Sequence, residues 1–451
     1  MQELTRLGIM EILNDWNYWH RDFETYVPRT EYQRKIRAFR RSGEIIVLSG
    51  IRRCGKSTLL KLEMQDLAQS VGKKSLLFIN FEDPRFSDHL NTDTLDRIFD
   101  TYRETINPDG TVYLFLDEVQ QVARWEKWVR TAHDLNKAKI YLTGSSSQLL
   151  SGEIATAISG RYLHVEVFPL TFHEFLAFKK IPCQDVGEYS ANRIIINRMF
   201  REYLRYGGFP RIVSFDEDLK KEELMSYYNT ILLKDIVARY RLRNFDLIKK
   251  MVEYLLTNDT QQNSIHNVSN ALKVSYDTVS DYIDYVKQVY LFFEVRNFDY
   301  SLKKQLASDI KYYAIDTGFV NVVSFSFSEN LGRLFENIVF NELMRRGKTI
   351  FFLNANDHEC DFITKEGNRV TAAYQVCYDL NEKNLDRGVN GLIAACKKFG
   401  LPFGYIITES ATRHFQKDGV EIRMVPITGF LLGVGDGGDE QVNRWGTNCS
   451  L

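Results

Sequence analysis

Five short apolar runs between residues 44 and 168 constrain the fold more than any other feature. They read EIIVLSG, SLLFINFED, TVYLFLDE, KIYLTGSSS and LHVEVFPL, and helical patterns separate them. Continuous apolar runs of this kind fit strands buried on both faces. Strands of this kind interleaved with helices predict an α/β fold, a parallel sheet with helices on both faces. From about 171 to 258 the pattern is helical. Beyond 259 it is mixed, with strands expected near 290–297, 311–315, 349–353, 361–364, 372–378 and 403–408.

The first run leads into Gly50-Ile-Arg-Arg-Cys-Gly55-Lys56-Ser57, which fits G-x-x-x-x-G-K-[ST] and opens the helical stretch TLLKLEMQDLA. A phosphate-binding loop needs backbone N–H groups close to the anion, hence residues without bulk at its turns. The helix that follows contributes its positive end. In such a loop Gly50, Arg53, Cys54, Gly55, Lys56, Ser57 and Thr58 surround a nucleotide. Lys56 neutralises β- and γ-phosphate oxygens, and Ser57 places its hydroxyl on Mg²⁺. Cys54, at a helix N-terminus between Arg53 and Lys56, is expected to lean toward thiolate and to react readily.

A nucleotide loop calls for a metal carboxylate at the end of another strand. TVYLFLDE ends in Asp117, which suits Mg²⁺, and Glu118, which could polarise a water for in-line attack. A helix-capping pair is the other reading of these acids. SLLFINF lies between loop and acids in the chain, and an extra strand between the two site strands is expected of hydrolysing ATPases with such a glutamate. KIYLTGSSS ends in Ser145, Ser146 and Ser147, and Ser145 could reach the γ-phosphate or the water; a serine-rich helix cap is the alternative. Arg161, in ISGRY, could stabilise developing charge from its own or a neighbouring subunit, or be an ordinary surface arginine.

At 451 residues the chain predicts several domains. A formal charge of −1 provides no global field for nucleic acid. Six cysteines without metal-ligand spacing read as reduced thiols. The start, MQELTRLGIMEILNDW, carries acids unlike a signal peptide, and no apolar run is long enough to span a bilayer. Together these predict a cytoplasmic protein with no membrane partner.

The ordered series GIRRCGKST, FLDEVQQVARWEKWVR and LTGSSSQLLSGE…SGRY…FPLTFHEFL resembles bacterial and archaeal AAA-type ATPases of the extended AAA, STAND-like branch, over roughly residues 14 to 380. The resemblance implies ATP and Mg²⁺ as cofactors; no N/T-K-x-D guanine signature stands out. YGGFPRIV resembles the Gly-x-Pro element of that branch's helical lid, which would bring Gly208 and Pro210 near the adenine. A ligand-free turn is the alternative reading of Gly-Gly-x-Pro. YVPRTEYQ resembles the upstream segment, where Arg29 would meet the base or ribose side.

The domain scheme that follows is an N-terminal helical segment at 1–30, an ATPase core at 31–170, a helical lid and linker at 171–244, a winged helix at 245–300, a nuclease-like domain at 301–432 and a disordered tail at 433–451. The helix of the winged-helix segment that would read a groove carries Asp277, Asp281 and Asp284, which speak against DNA. A basic run (Lys234, Arg239, Arg241, Arg243, Lys249, Lys250) could follow a nucleic-acid backbone, although such a run is more often a solvated helix face or a subunit contact; the other partners are a homo-oligomer or a protein whose identity the sequence does not give. The last domain resembles the restriction-endonuclease-like core, with Glu336 and Asp361 at its first two positions. Gln375 and Cys377 replace its second carboxylate and lysine, so the fold is expected to persist and the chemistry to be lost.

Overall fold

The structure, a computed structural model, describes residues 4–146, 158–324, 330–355 and 358–434. It divides into two compact units, 1–167 with 288–290, and 168–287 with 291–451. Ser147 and the tail from 435 onward lie outside the described residues.

The first unit opens with helices α1 (Arg6–Trp16) and α2 (Thr30–Arg40). It continues as β1 (Ile45–Ser49), α3 (Lys56–Val71), β2 (Leu76–Asn80), α4 (Thr92–Thr105), β3 (Tyr113–Asp117), α5 (Trp125–Asp134), β4 (Lys139–Gly144) and β5 (Tyr162–Glu166). All five apolar runs are strands. They form one parallel sheet in the order β2-β3-β4-β1-β5. The strand inserted between β1 and β3 is β4. The run SLLFINF, which separates loop and acids in the chain, is instead the far edge strand β2.

That edge explains the N-terminal segment. An edge strand exposes unpaired backbone groups that must be covered. Asn17 accepts from the Phe78 N–H at 2.8 Å and donates to the Phe78 carbonyl at 2.9 Å. The Trp19 indole donates to the Leu76 carbonyl at 2.8 Å. Ile9, Ile12, Leu13 and Trp19 are buried in the same core cluster as Leu77, Ile79, Leu114 and Leu116 of the sheet. Residues 6–19 are therefore built into this unit's core.

The second unit begins with α6 (Phe172–Phe178), whose first turn is closed by a reciprocal Thr171–Glu174 capping box. Then come α7 (Val186–Tyr206), α8 (Pro210–Val213), α9 (Glu217–Thr230) and a π-helical stretch, Ile231–Ala238. Next are α10 (Phe245–Thr257), β6 (Gln262–Asn263), α11 (Ile265–Leu272), α12 (Tyr276–Gln288), β7 (Phe292–Arg296), α13 (Leu302–Ala307) and β8 (Ile310–Ala314). Strands β6, β8 and β7 pair antiparallel in that order, so the strand that completes this small sheet lies beyond residue 300.

Helices α14 (Thr317–Val323) and α15 (Leu331–Arg345) precede a six-stranded sheet. Its members are β9 (Thr349–Ala355), β10 (His358–Glu366), β11 (Arg369–Cys377), β12 (Phe403–Thr408), β13 (Arg413–Lys417) and β14 (Val420–Pro426) in the order β13-β14-β12-β11-β10-β9. The long helix α16 (Glu382–Phe399) packs on it, and α17 (Ile427–Leu432) follows β14. Among the described residues no helix is long and apolar enough to cross a membrane.

Candidate functional site

The parallel sheet sets the first site, because its strands deliver their C-terminal ends side by side. β1 ends at Ser49, and the loop 50–55 turns the chain into α3. Gly50 is required by space: a Cβ there would sit 2.0 Å from the Val167 carbonyl oxygen. Gly55 (φ 102°) and Arg53 (φ 72°) take the left-handed conformations that curl the loop. Lys56 and Ser57 open α3, and Thr58 is half-buried in its first turn.

Lys56 is 4% exposed, and its ammonium donates to the carbonyls of Gly50 (2.9 Å) and Ile51 (3.1 Å). It lies 3.8 Å from Glu118 Oε1. The Ser57 hydroxyl donates to Asp117 Oδ1 at 2.9 Å. The structure therefore brings Lys56, Ser57, Asp117 and Glu118 together across 60 residues of chain. Burial, then the neighbouring Glu118 charge, raises Asp117 to about 6, against hydroxyl hydrogen bonds that lower it. Glu118 accepts from the Gln120 amide, and its backbone is left-handed (φ 54°, ψ 45°).

Thr143, missed in the sequence, completes the set. Its hydroxyl donates to Asp117 Oδ1 and accepts from the Glu118 N–H at 2.9 Å. Ser145 and Ser146 follow the strand end and are buried. The signal available was the strand's last polar residue, overlooked in favour of the serines after it.

Three expectations change. Cys54 is fully buried, and desolvation raises its thiol despite the opposing pull of Lys56 and Arg29, so it does not lean toward thiolate. Arg29 is also buried, and it donates to the Cys54 carbonyl of the loop at 3.0 Å while lying over the Tyr32 ring. Arg161 is not brought to the loop of its own chain. Its carbonyl accepts from Ile45 N–H at the start of β1, the opposite sheet edge, roughly 15 Å from the loop at ~3.3 Å per residue. Its guanidinium donates to Asp134 at 2.7 Å.

Gly208 and Pro210 belong to the second unit. The Gly208 N–H donates to buried Asp316 at 2.7 Å, and its carbonyl accepts from the Leu170 N–H at 2.7 Å. A Cβ on Gly207 would overlap the Asp316 carboxylate, and one on Gly208 would meet the Leu170 carbonyl at 2.4 Å. Pro210 starts the short helix α8.

The second unit also gathers acids. Lys311, on β8 and 3% exposed, places its ammonium 3.0 Å from Glu336, 2.6 Å from Glu359 and 3.8 Å from Asp361. The Tyr313 hydroxyl donates to Glu336 at 2.7 Å. Asp361 Oδ2 accepts from the Gln375 amide at 2.7 Å and from the Val376 N–H at 2.8 Å. Burial and the Glu336 charge push Asp361 well above the carboxylate range. A cavity of about 540 Å³ opens beside the cluster, lined by Arg333, Glu336, Asp361, Gln375, Cys377 and Arg387. Cys377 supplies no cation, as its identity implies. Lys311 does, from a strand that is buried throughout. Among the described residues no group of three or more His, Cys, Asp or Glu side chains is placed to hold a metal ion.

A family model described as an AAA domain matches residues 42–176, and one described as a domain of unknown function (DUF8612) matches 197–330. The uncharacterized protein MJ1544 of Methanocaldococcus jannaschii is 36% identical over 369 residues, covering 79% of this chain and 80% of that protein. An uncharacterized protein of Haemophilus influenzae is 30% identical over 363 residues, covering 79% of this chain and 88% of its own. Among solved structures, the Walker-type ATPase PABY2304 of Pyrococcus abyssi is similar at 16% identity with a TM-score of 0.41, over 66% of this chain and 96% of that one.

Proposed function

From the premise that this chain belongs to one family with the M. jannaschii and H. influenzae proteins and carries its AAA-type ATPase domain, we propose that it is a Mg²⁺-dependent ATPase whose cycle acts as a conformational switch on a partner. One observation carries the reading: Glu118 stands beside Asp117 at the end of β3, facing the lysine and serine of the loop.

The residues fit the implied ligands. The Lys56 ammonium rests on two neutral carbonyls and one distant carboxylate, ready for a stronger anion. Ser57 and Asp117 would hold Mg²⁺, which when bound neutralises phosphate charge and orients the leaving group. Lys56 would bind β- and γ-phosphate oxygens, and the amides at the start of α3 would receive the rest. Glu118 would take a proton from the attacking water at a carboxylate oxygen. Ser145 would touch the terminal phosphate. Arg161, remote from its own loop, would serve only the site of a neighbouring copy, so a homo-oligomer is part of the proposal. Gly208 and Pro210 would move with a lid whose turn is clamped by Asp316.

The finer architecture belongs to the same proposal. Helix, strand, two helices and two strands joined through the short helix α13, over 245–314, support a winged helix, and Asp277, Asp281 and Asp284 on exposed positions of α12 favour a protein partner over DNA. The six-stranded sheet supports a nuclease-like domain. Lys311 already spends its charge on three acids, and the Gln375 amide occupies Asp361, which supports lost nuclease chemistry.

Glu118→Gln tests the core of the reading. It should bind ATP within about threefold of the parent and lose hydrolysis by about 100-fold or more. Normal turnover by that variant removes Glu118 as the base. Plasmid cleavage with Mg²⁺ or Mn²⁺ and ATP, abolished by Asp361→Ala, would overturn the account of the last domain.

A further inference from the structure

The site contains one residue whose geometry goes beyond holding a strand in place. Thr143 is fully buried on β4, the strand inserted between the loop strand and the acid strand. Both hydrogen-bonding capacities of its hydroxyl are used, and each goes to a different site acid. The hydrogen is donated to Asp117 Oδ1, the oxygen that also receives the Ser57 hydroxyl, and a lone pair accepts the Glu118 N–H.

Glu118 is also strained. A β-carbon makes the left-handed region costly, and a glutamate has no local polar group to offset this as asparagine or aspartate can. Its φ of 54° and ψ of 45° therefore need outside support. Thr143 supplies it at the amide, and the Gln121 N–H contributes a bond to the Glu118 carbonyl at 3.1 Å. Extended backbone at residue 118 would send its side chain to the opposite side of the strand. The left-handed turn instead leaves the carboxylate 3.8 Å from Lys56.

We propose that Thr143 is a positioning residue that couples the two acids, fixing the Asp117 carboxylate toward Ser57 and holding the Glu118 backbone in the conformation that aims its carboxylate into the phosphate loop. This rests on the ATPase reading above and deepens it. A β-branched hydroxyl is suited to the role because its rotamer is restricted. Thr143→Ser keeps the hydroxyl, and Thr143→Val keeps the shape without it.

The test compares parent, Thr143→Val, Thr143→Ser and Glu118→Gln in the full chain. Affinity for a fluorescent ATP analogue is measured with and without Mg²⁺, and kcat and KM for ATP are measured alongside thermal midpoints. In Thr143→Val, metal-free affinity should stay within about twofold. The gain in affinity from Mg²⁺ should shrink about tenfold, and kcat should fall about 10–100-fold with KM little changed, the size expected for a lost hydrogen bond to a charged group. Thr143→Ser should recover both to within about threefold.

A Thr143→Val protein with the parent's Mg²⁺ response and kcat would overturn the proposal. So would a Thr143→Ser protein as impaired as the valine variant, since packing would then be the cause. If the parent binds Mg-ATP but never hydrolyses it, the ATPase reading fails while the Mg²⁺ response still decides the role of Thr143. If the parent binds no nucleotide, both fall.

Discussion

Two buried clusters of acids, one in each unit, use similar residues to opposite ends. In the first, Asp117 and Glu118 meet two hydroxyls and one lysine that stands 3.8 Å off and leans on neutral carbonyls. In the second, Glu336, Glu359 and Asp361 crowd a single buried lysine, with a tyrosine and a glutamine closing the remaining sites. A buried charge must be paired, protonated or met by a ligand. The second cluster solves this within itself. The first leaves its lysine and acids loosely matched, which is stable only if hydroxyls hold the carboxylates and something else is to bind. Buried acids alone therefore do not mark a site; how far they are already neutralised does.

The largest expected effects separate the two lysines. Lys311→Met should cost about 3–5 kcal/mol of stability, because it leaves the buried Asp361 beside Glu336 and Glu359 without their cation. Urea denaturation followed by circular dichroism reads this, and nucleotide affinity of the folded protein should not change. Lys56→Ala should do the reverse, weakening ATP binding by about 100-fold or more while shifting stability by under about 1 kcal/mol. A Lys311→Met protein as stable as the parent would mean that its acids are neutralised some other way.

An acid outside both clusters lies between these extremes. Glu63 on α3 is buried; desolvation raises it to about 7, against the opposing pull of Arg40, whose guanidinium is 3.1 Å away. Its folded value exceeds the unfolded value near 4.5, so the native state holds the proton longer. The contribution is full below about pH 4.5 and is lost as pH rises through 7. The total is on the order of 3 kcal/mol at ~1.4 kcal/mol per unit. Glu63→Gln should flatten the stability profile between pH 5 and about 7; an unchanged slope would assign it to other groups.

Much of this architecture was legible because it is written in local pattern. Five apolar runs announced five strands, four of them largely buried and the edge strand β5 half-buried, and the loop and the Asp-Glu pair follow from residue type and their positions at strand ends. What was illegible depends on neighbours across strands. Thr143 meets Asp117 only because β4 inserts beside β3, and no spacing rule gives a sheet order. Lys311 lies 25 and 50 residues from Glu336 and Asp361. Arg161 follows the serine strand in the chain, but a parallel sheet returns the chain to its starting edge before the next strand begins, which carries that arginine away from the loop. Strand β13 was missed because it is a largely exposed edge with little apolar pattern to announce it, whereas β14 carries a legible alternation at Val420, Ile422 and Met424 that went unread.

Two glycines sharpen the comparison. Gly50 and Gly208 each press against a carbonyl that would meet a Cβ at 2.0 Å and 2.4 Å. Either alanine variant should cost about 1–3 kcal/mol through steric strain. Only Gly50→Ala should also weaken ATP binding, by about tenfold or more. Gly208→Ala should leave ATP affinity within about twofold. A tenfold loss there, in protein shown to be folded, would return Gly208 to the neighbourhood of the adenine.

The smallest effect concerns Cys54, where sequence and structure disagree most sharply. Charged neighbours in the chain argue for a reactive thiolate, and both Arg29 and Lys56 do pull in that direction. Complete burial outweighs them, because removing a thiolate from water costs more than two partly committed cations return. Alkylation followed by peptide mass spectrometry should therefore find Cys54 labelled at least about tenfold more slowly than an exposed thiol, with Mg-ATP changing that rate by less than about twofold. Rapid labelling that ATP suppresses would show that the loop opens in solution far enough to expose the sulfur. The loosely matched charges of the first cluster would then be held by a moving loop, whereas the second cluster is closed by its own side chains.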